Sequence, residues 1–238
     1  VNIFKDWKAH GWVDMKRAIA VSSNVYFYEI GGGFEDVKGL GVTKIQDYAK
    51  RFGLGSLTGI DLFGEKTGLV PGPDWKKENE KNDPIWRIGD TYNMSIGQGA
   101  YQVTPIQMAV FVSAIANNGK IVKPHLINGE PEQIRDLNIP EEYFQIVKDG
   151  MRMAVTEGTA SSLYIPNLNI AAKTGTAEIG ISKKYINSWA IGFFPYKSPK
   201  YAFVFLIEKG PQENSGTATY VARQVLEWMS IYTPKYFK

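Results

Sequence analysis

The sequence predicts an α+β fold: an antiparallel sheet flanked by helices, together with a mainly helical lobe. Three observations predict it. Runs rich in branched and aromatic residues at Asn169–Glu178, Asn187–Phe194 and Tyr201–Glu208 follow one another through short connections, with Pro195, Ser198 and Pro199 as punctuation before the last. Ahead of them, apolar residues recur mainly at helical spacing. A further helical pattern, about 217–231, follows the strands. Strands grouped after helices, rather than alternating with them, argue for α+β architecture. The helical lobe is expected over about 12–157 and the sheet with its final helix over about 168–232. No repeat and no linker forces a division into separate domains.

From Trp12 to Ile30 the pattern is helical, with Val13, Ala20, Val21 and Val25 near a 3.6 period, and Gly31-Gly32-Gly33 stops it. Inside lies Ser22-Ser23-Asn24. Serine and asparagine are poor interior helix formers, so the triplet predicts either a capped junction between two helices or a polar edge facing a cleft. A short helix is expected over Thr43–Phe52. Gly53 and Gly55 read as its end, because a nucleotide loop needs a third glycine. Thr58-Gly59-Ile60-Asp61-Leu62 leads into a polar loop, and the mixed charges of Asp74–Asp83 read as solvated surface. Ser95-Ile96-Gly97-Gln98-Gly99 reads as a polar turn. Thr104-Pro105-Ile106-Gln107 is a capping signature that starts a buried helix through Asn117, which Asn117-Asn118-Gly119 ends. A helix from Pro140 to about Thr156 should bury Tyr143, Val147, Met151 and Ala154, with Gly158 ending it. The final helix should pack Val221, Val225, Leu226 and Met229.

Composition narrows the function. A chain of 238 residues with 44% hydrophobic content suffices for one sizeable core. A net charge of +3, without a basic stripe, does not call for nucleic acid. No run reaches the roughly 18 apolar residues that span a bilayer, and no signal peptide is visible. Cysteine is absent, which removes thiolate metal sites and disulfides. Only His10 and His125 are histidines, so no metal site is expected, and no cofactor. His10 and Asp14, at helical spacing, read as a surface pair. The opening Val1-Asn2-Ile3-Phe4 has no initiating Met, which predicts a sequence that begins in the middle of a longer chain.

The stretch with the most chemistry is Asn169–Glu178. A short apolar run delivers Lys173 on a strand, followed by Thr174, Gly175 and Thr176. A lysine held on a strand can serve a proton relay or hold an anion. Gly175 leaves room for a substrate backbone to lie against the strand. The hydroxyls of Thr174 and Thr176 can bind a carboxylate, and a backbone N–H there can face a developing oxyanion. Taken alone, Lys-Thr-Gly reads as an ordinary strand with one exposed lysine, because short motifs match by chance. A second copy, Lys66-Thr67-Gly68, lies between Gly64 and Pro71-Gly72-Pro73 and reads as a loop decoy.

Ser22 and Asn24 as Ser-x-Asn, with Lys173-Thr174-Gly175-Thr176, resemble two of the three motifs of the penicillin-interacting serine enzymes. Longer blocks extend the resemblance to class B penicillin-binding proteins, most of all the branch called penicillin-binding protein 2, which serves cell elongation. They are His10–Asp14, Val21–Tyr28, Thr58–Leu62, Ser95–Gly99, Thr104–Ala109 and Trp189–Phe193, in family order across nearly the whole chain.

The resemblance implies a peptidoglycan D,D-transpeptidase with the penicillin-binding-protein fold, incomplete at its N-terminus. Such an enzyme forms an acyl-serine with the D-Ala-D-Ala end of a stem peptide, passes the acyl group to a neighbouring stem, and is trapped by β-lactams. By position, Ser22 and Lys173 would relay a proton and Asn24 would hold the substrate amide. Thr174, Gly175 and Thr176 would bind substrate, the two threonines taking its carboxylate, and the Thr176 N–H would supply half the oxyanion hole. Strand alternation puts Lys173 and Gly175 on one face and both threonines on the other, so these roles require a strand that uses both sides. The implied location is the periplasm, anchored in the inner membrane by a segment outside this sequence. The implied partners are stem peptides, β-lactams, a cell-shape scaffold protein and a glycosyltransferase.

One motif is missing. No serine here has a lysine three residues on, so the Ser-x-x-Lys nucleophile is expected upstream of Val1 and this chain alone is expected to be inert. Two other readings stay open: a β-lactam sensor or class D β-lactamase-like domain, and a non-catalytic scaffold module of the elongation machinery. A third, that both short motifs are accidental in a structural α+β domain, is opposed by the six longer blocks.

Overall fold

A computed structural model describes residues 4–129, 132–180, 184–212 and 217–237. The apolar opening at Val1-Asn2-Ile3 therefore lies outside the described residues. In chain order the elements are α1 (Met15–Val21), α2 (Asn24–Gly32), α3 (Gly41–Arg51), α4 (Pro73–Asn79), α5 (Ile88–Ser95), α6 (Pro105–Ala116), β1 (Lys120–Val122), β2 (Gln133–Asp136), α7 (Glu141–Glu157), β3 (Ala171–Ile179), β4 (Tyr185–Phe194), β5 (Tyr201–Pro211) and α8 (Ala218–Tyr232).

Contacts divide the chain into two compact units. One comprises Val1–Trp12, Ser23–Phe111 and Ile121–Leu137; the other comprises Val13–Ser22, Val112–Lys120 and Asn138–Lys238. The division cuts through the stretch of about 12–157 expected to form one helical lobe, because α1 and α7 pack with the sheet region rather than with the other helices.

In the first unit, α2 packs on α5 and α3. Ala49, Leu54, Val70 and Met94 form its core, with Trp86, Met108 and Phe111 against them. The predicted capping box at the start of α6 is present. Thr104 N–H donates to Gln107 Oε1 at 3.0 Å, and Gln107 N–H donates to Thr104 Oγ1 at 3.2 Å. The Gln107 amide also donates to the carbonyls of Ser56 and Thr67 at 2.8 and 2.7 Å. That bond ties the second Lys-Thr-Gly copy down as loop. Other expectations need correction here. The charge run 74–83 is not all solvated surface: it opens as α4, and Lys76 is 4% exposed. Its amine donates to both Asp90 oxygens at 2.8 and 3.0 Å and to Asp83 at 3.4 Å. Ser95 ends a helix rather than belonging to a turn. His10 does not pair with Asp14: it stands 4.0 Å from Asp6.

The second unit holds the three-stranded antiparallel sheet, in order β3-β4-β5. This is the sheet the three aromatic and branched runs predict. α8 lies against β4 and β5, α7 against β3, and α1 against α7. Their shared core runs from Ala20 through Ala154, Val155 and Leu163 to Ile170, Ala172, Ala190, Phe194, Ala222 and Leu226. Small residues dominate where α1 meets α7, and glycine is required there. A Cβ on Gly158 would stand 2.2 Å from the Ala20 carbonyl, and one on Gly150 would stand 2.9 Å from Ile19 Cβ. Asp14 caps α1 instead of pairing with His10, accepting from Arg17 N–H at 2.7 Å. On α7 the buried face is Phe144, Lys148, Met151 and Val155, with Ala154 beside it, whereas Tyr143 is exposed. On α8 Leu226 is buried and Val225 exposed. Met151, Ala154 and Leu226 are thus buried as expected, and only Tyr143 and Val225 fall outside the buried faces.

Candidate functional site

The pattern from Trp12 to Ile30 breaks at the serine pair, as a capped junction. Ser22 ends α1 in the left-handed conformation, at φ 57° and ψ 47°, with its N–H turned back on the carbonyls of Ala18 and Ile19. Glycine is the usual residue at such a position; serine brings a hydroxyl at the cost of about 1 kcal/mol of backbone strain. That hydroxyl accepts a hydrogen bond from Lys173 Nζ at 2.9 Å, across 151 residues of sequence.

Lys173 is placed by β3. Apolar Ile170, Ala171 and Ala172 are fully buried and anchor the strand in the core, so the next residue leaves the core at a fixed point. Its amine donates to Ser22 Oγ and to the Thr174 carbonyl at 2.8 Å. Burial of the amine pushes its pKa down from 10.5 to about 8. A low-dielectric surrounding disfavours the ammonium form. Near neutrality this lysine can therefore give up its proton within hydrogen-bonding distance of a hydroxyl, which is the property a proton relay needs.

The register sets the other positions. Thr174 lies opposite Ala190, Gly175 opposite Trp189 and Thr176 opposite Ser188. Thr174 Oγ1 donates to Thr159 Oγ1 at 2.9 Å. Thr159 in turn gives its N–H to the Ala20 carbonyl at 3.0 Å, so one residue after α7 braces both β3 and the end of α1. Thr176 is exposed. A Cβ at Gly175 would meet Trp189 Cβ at 3.5 Å, an ordinary contact, so internal packing does not demand glycine there.

The second unit thus brings Ser22, Lys173 and Thr174 together. Asn24 belongs to the first unit, where it opens α2 with its N–H held by Asp6 at 3.1 Å. Sequence reasoning missed Thr159 and Asp6. Neither carries a motif, and the contacts that matter here join each to partners distant in sequence. Among the described residues, no cluster of three or more histidine, aspartate or glutamate side chains is placed to hold a metal ion, and no helix is long and apolar enough to cross a membrane.

Residues 1–227 match the family model of the penicillin binding protein transpeptidase domain. The chain belongs to that family. Among similar proteins, the peptidoglycan D,D-transpeptidase MrdA of Acinetobacter baumannii is 30% identical over 94% of this chain and 36% of its own length. MrdA of Salmonella typhimurium is 32% identical over 94% of this chain and 39% of its own. Among solved structures, the Helicobacter pylori PBP2 complex with MreC is similar at a TM-score of 0.80 and 29% identity, covering 97% of this chain and 43% of that one. Pseudomonas aeruginosa PBP2 in complex with WCK 5153 is similar at 0.75 and 28%, covering 96% and 51%. The penicillin-binding-protein fold expected from the sequence is thus the fold observed. This transpeptidase-family chain spans little more than a third of the length of the curated relatives it matches.

Proposed function

We propose that this chain supplies the relay and substrate-binding side of a peptidoglycan D,D-transpeptidase of cell-wall elongation. The observation that carries the reading is the 2.9 Å hydrogen bond between Lys173 Nζ and Ser22 Oγ, formed by a lysine whose burial holds it at about 8. Two proton carriers in contact can pass a proton to a departing amine without solvent. That is the need of an acyl transfer in which D-Ala leaves and a second stem amine arrives.

In this reading Lys173 and Ser22 exchange the proton, Asn24 holds the substrate amide, and Thr176 binds the substrate carboxylate and offers its N–H to the oxyanion. Thr174 shares the carboxylate only after its hydroxyl turns from Thr159. Gly175 keeps the strand surface open to the substrate backbone. The nucleophile is a serine of a Ser-x-x-Lys motif on a segment of the full-length protein outside these 238 residues. The full-length protein works in the periplasm, anchored in the inner membrane, and is a β-lactam target. The MreC seen with Helicobacter pylori PBP2, and a peptidoglycan synthase complex containing a similar chain at 28% identity, support a cell-shape scaffold and a glycosyltransferase as partners.

The test is Lys173→Ala in the full-length protein, assayed with a fluorescent penicillin. The reading expects labelling to be lost while thermal unfolding stays cooperative. Labelling at the wild-type rate would remove Lys173 from the mechanism.

A further inference from the structure

Asp6 has no place in the relay, yet its carboxylate is fully engaged. The side chain is 10% exposed. It accepts from Trp7 N–H at 2.9 Å, Ser23 Oγ–H at 2.7 Å, Asn24 N–H at 3.1 Å and Val25 N–H at 3.4 Å. Three of these four donors lie at the start of α2: its capping residue and its first two helical residues. Ser23 caps the helix itself only through a long 3.4 Å contact from Tyr26 N–H. The carboxylate, 17 residues away in sequence, is the stronger anchor. A negative charge at a helix N-terminus is also favoured by the helix dipole. Burial alone would raise the Asp6 carboxyl. The hydrogen bonds from Ser23 and from the Asn24, Trp7 and Val25 N–H groups outweigh burial and hold it below 3.8, so Asp6 is an anion at neutral pH.

We infer that Asp6 is a positioning residue for Asn24: its carboxylate clamps the Asn24 N–H and the Ser23 hydroxyl, and so fixes the first turn of α2 that aims the Asn24 amide. This deepens the proposed function and rests on its reading of Asn24 as the residue that holds the substrate amide. The backbone torsions of Ser23 and Asn24 determine where the Asn24 side chain leaves the helix. Asp6→Asn keeps the shape but turns one acceptor oxygen into a donor facing other donors. The first turn is then held by one acceptor and the weak Ser23 cap. Ser23→Ala removes one strand of the clamp and leaves the carboxylate on the backbone.

The experiment is a double-mutant cycle in the full-length protein, reading the second-order rate of acylation by a fluorescent penicillin at a temperature where thermal melts show every variant folded. Asp6→Asn should slow acylation about tenfold and Ser23→Ala about threefold, both on the scale of one lost hydrogen bond. Asn24→Ala should slow it about a hundredfold, on the scale of losing a substrate contact that strengthens in the transition state. Because Asp6 acts through Asn24, Asp6→Asn combined with Asn24→Ala should be no slower than Asn24→Ala alone. If the two effects multiply, Asp6 supports the fold at large and the inference is overturned. If Asn24→Ala is slow while Asp6→Asn acylates normally, the inference alone falls. If Asn24→Ala acylates normally, the reading of Asn24 falls and takes the inference with it. Should Asp6→Asn fail to fold, Ser23→Ala runs the same cycle with the same outcomes.

Discussion

Replacing Lys173 by methionine should change stability in opposite directions at neutral and alkaline pH. In the folded chain burial holds this amine at about 8, against 10.5 when it is solvated. Between those values the folded state carries fewer protons than the unfolded one, so stability rises with pH through that window. Below about 8 the cost of burying the ammonium is complete; above 10.5 it is gone. At roughly 1.4 kcal/mol per pH unit, the interval of about 2.5 corresponds to about 3.5 kcal/mol. Methionine fills a similar volume without the charge, but it forfeits the hydrogen bonds to Ser22 Oγ and the Thr174 carbonyl, each worth about 1 kcal/mol. The variant should therefore be more stable than wild type by about 1.5 kcal/mol at pH 7 and less stable by about 1 kcal/mol at pH 10. The change between the two pH values, about 2.5 kcal/mol, does not depend on the hydrogen-bond term. Urea unfolding of both proteins, followed by fluorescence of the six tryptophans, measures it. Every other titrating group cancels in the difference. A stability difference that stays constant to within about 0.5 kcal/mol from pH 7 to pH 10 would refute the burial argument.

Further outcomes follow from particular contacts. Ser22→Gly should be more stable than Ser22→Ala by about 1 kcal/mol, since both lose the hydroxyl but only alanine keeps the left-handed strain; equal melting temperatures would mean that the junction is unstrained. Gly158→Ala should cost about 1–3 kcal/mol, because its Cβ meets the Ala20 carbonyl at 2.2 Å, and in the full-length protein it should slow penicillin acylation by displacing the end of α1. Lys76→Met should cost about 1–3 kcal/mol by leaving the Asp90 carboxylate without its buried partner; a neutral result in urea unfolding would return the 74–83 run to the solvated surface.

What the sequence made legible was mostly local. The three strands, the Thr104–Gln107 capping box, the glycine stop, which falls at Gly33 after two helical glycines, and the junction at Ser22-Ser23 each depend on neighbours within a few residues, and each is present. The short two-stranded sheet β1–β2 escaped notice because strands of three and four residues carry too little alternation. α5 escaped because its eight residues hold little periodicity. Lys76 looked solvated because a charge run does not reveal that Asp90, fourteen residues on, turns back to meet it. The site shows the same limit. Nothing in the spacing of Ser22 and Lys173 reveals that they touch; the pairing was expected only through family resemblance. The Asp6 anchor and the Thr159 brace carry no motif, and only the folded chain exposes them.

The most direct test of the central claim maps the penicillin adduct on the full-length protein by digestion and mass spectrometry. One adduct is expected, on a serine three residues before a lysine and outside residues 1–238, with Ser22 unmodified. Acylation of Ser22, or of any other serine within these 238 residues, would contradict it.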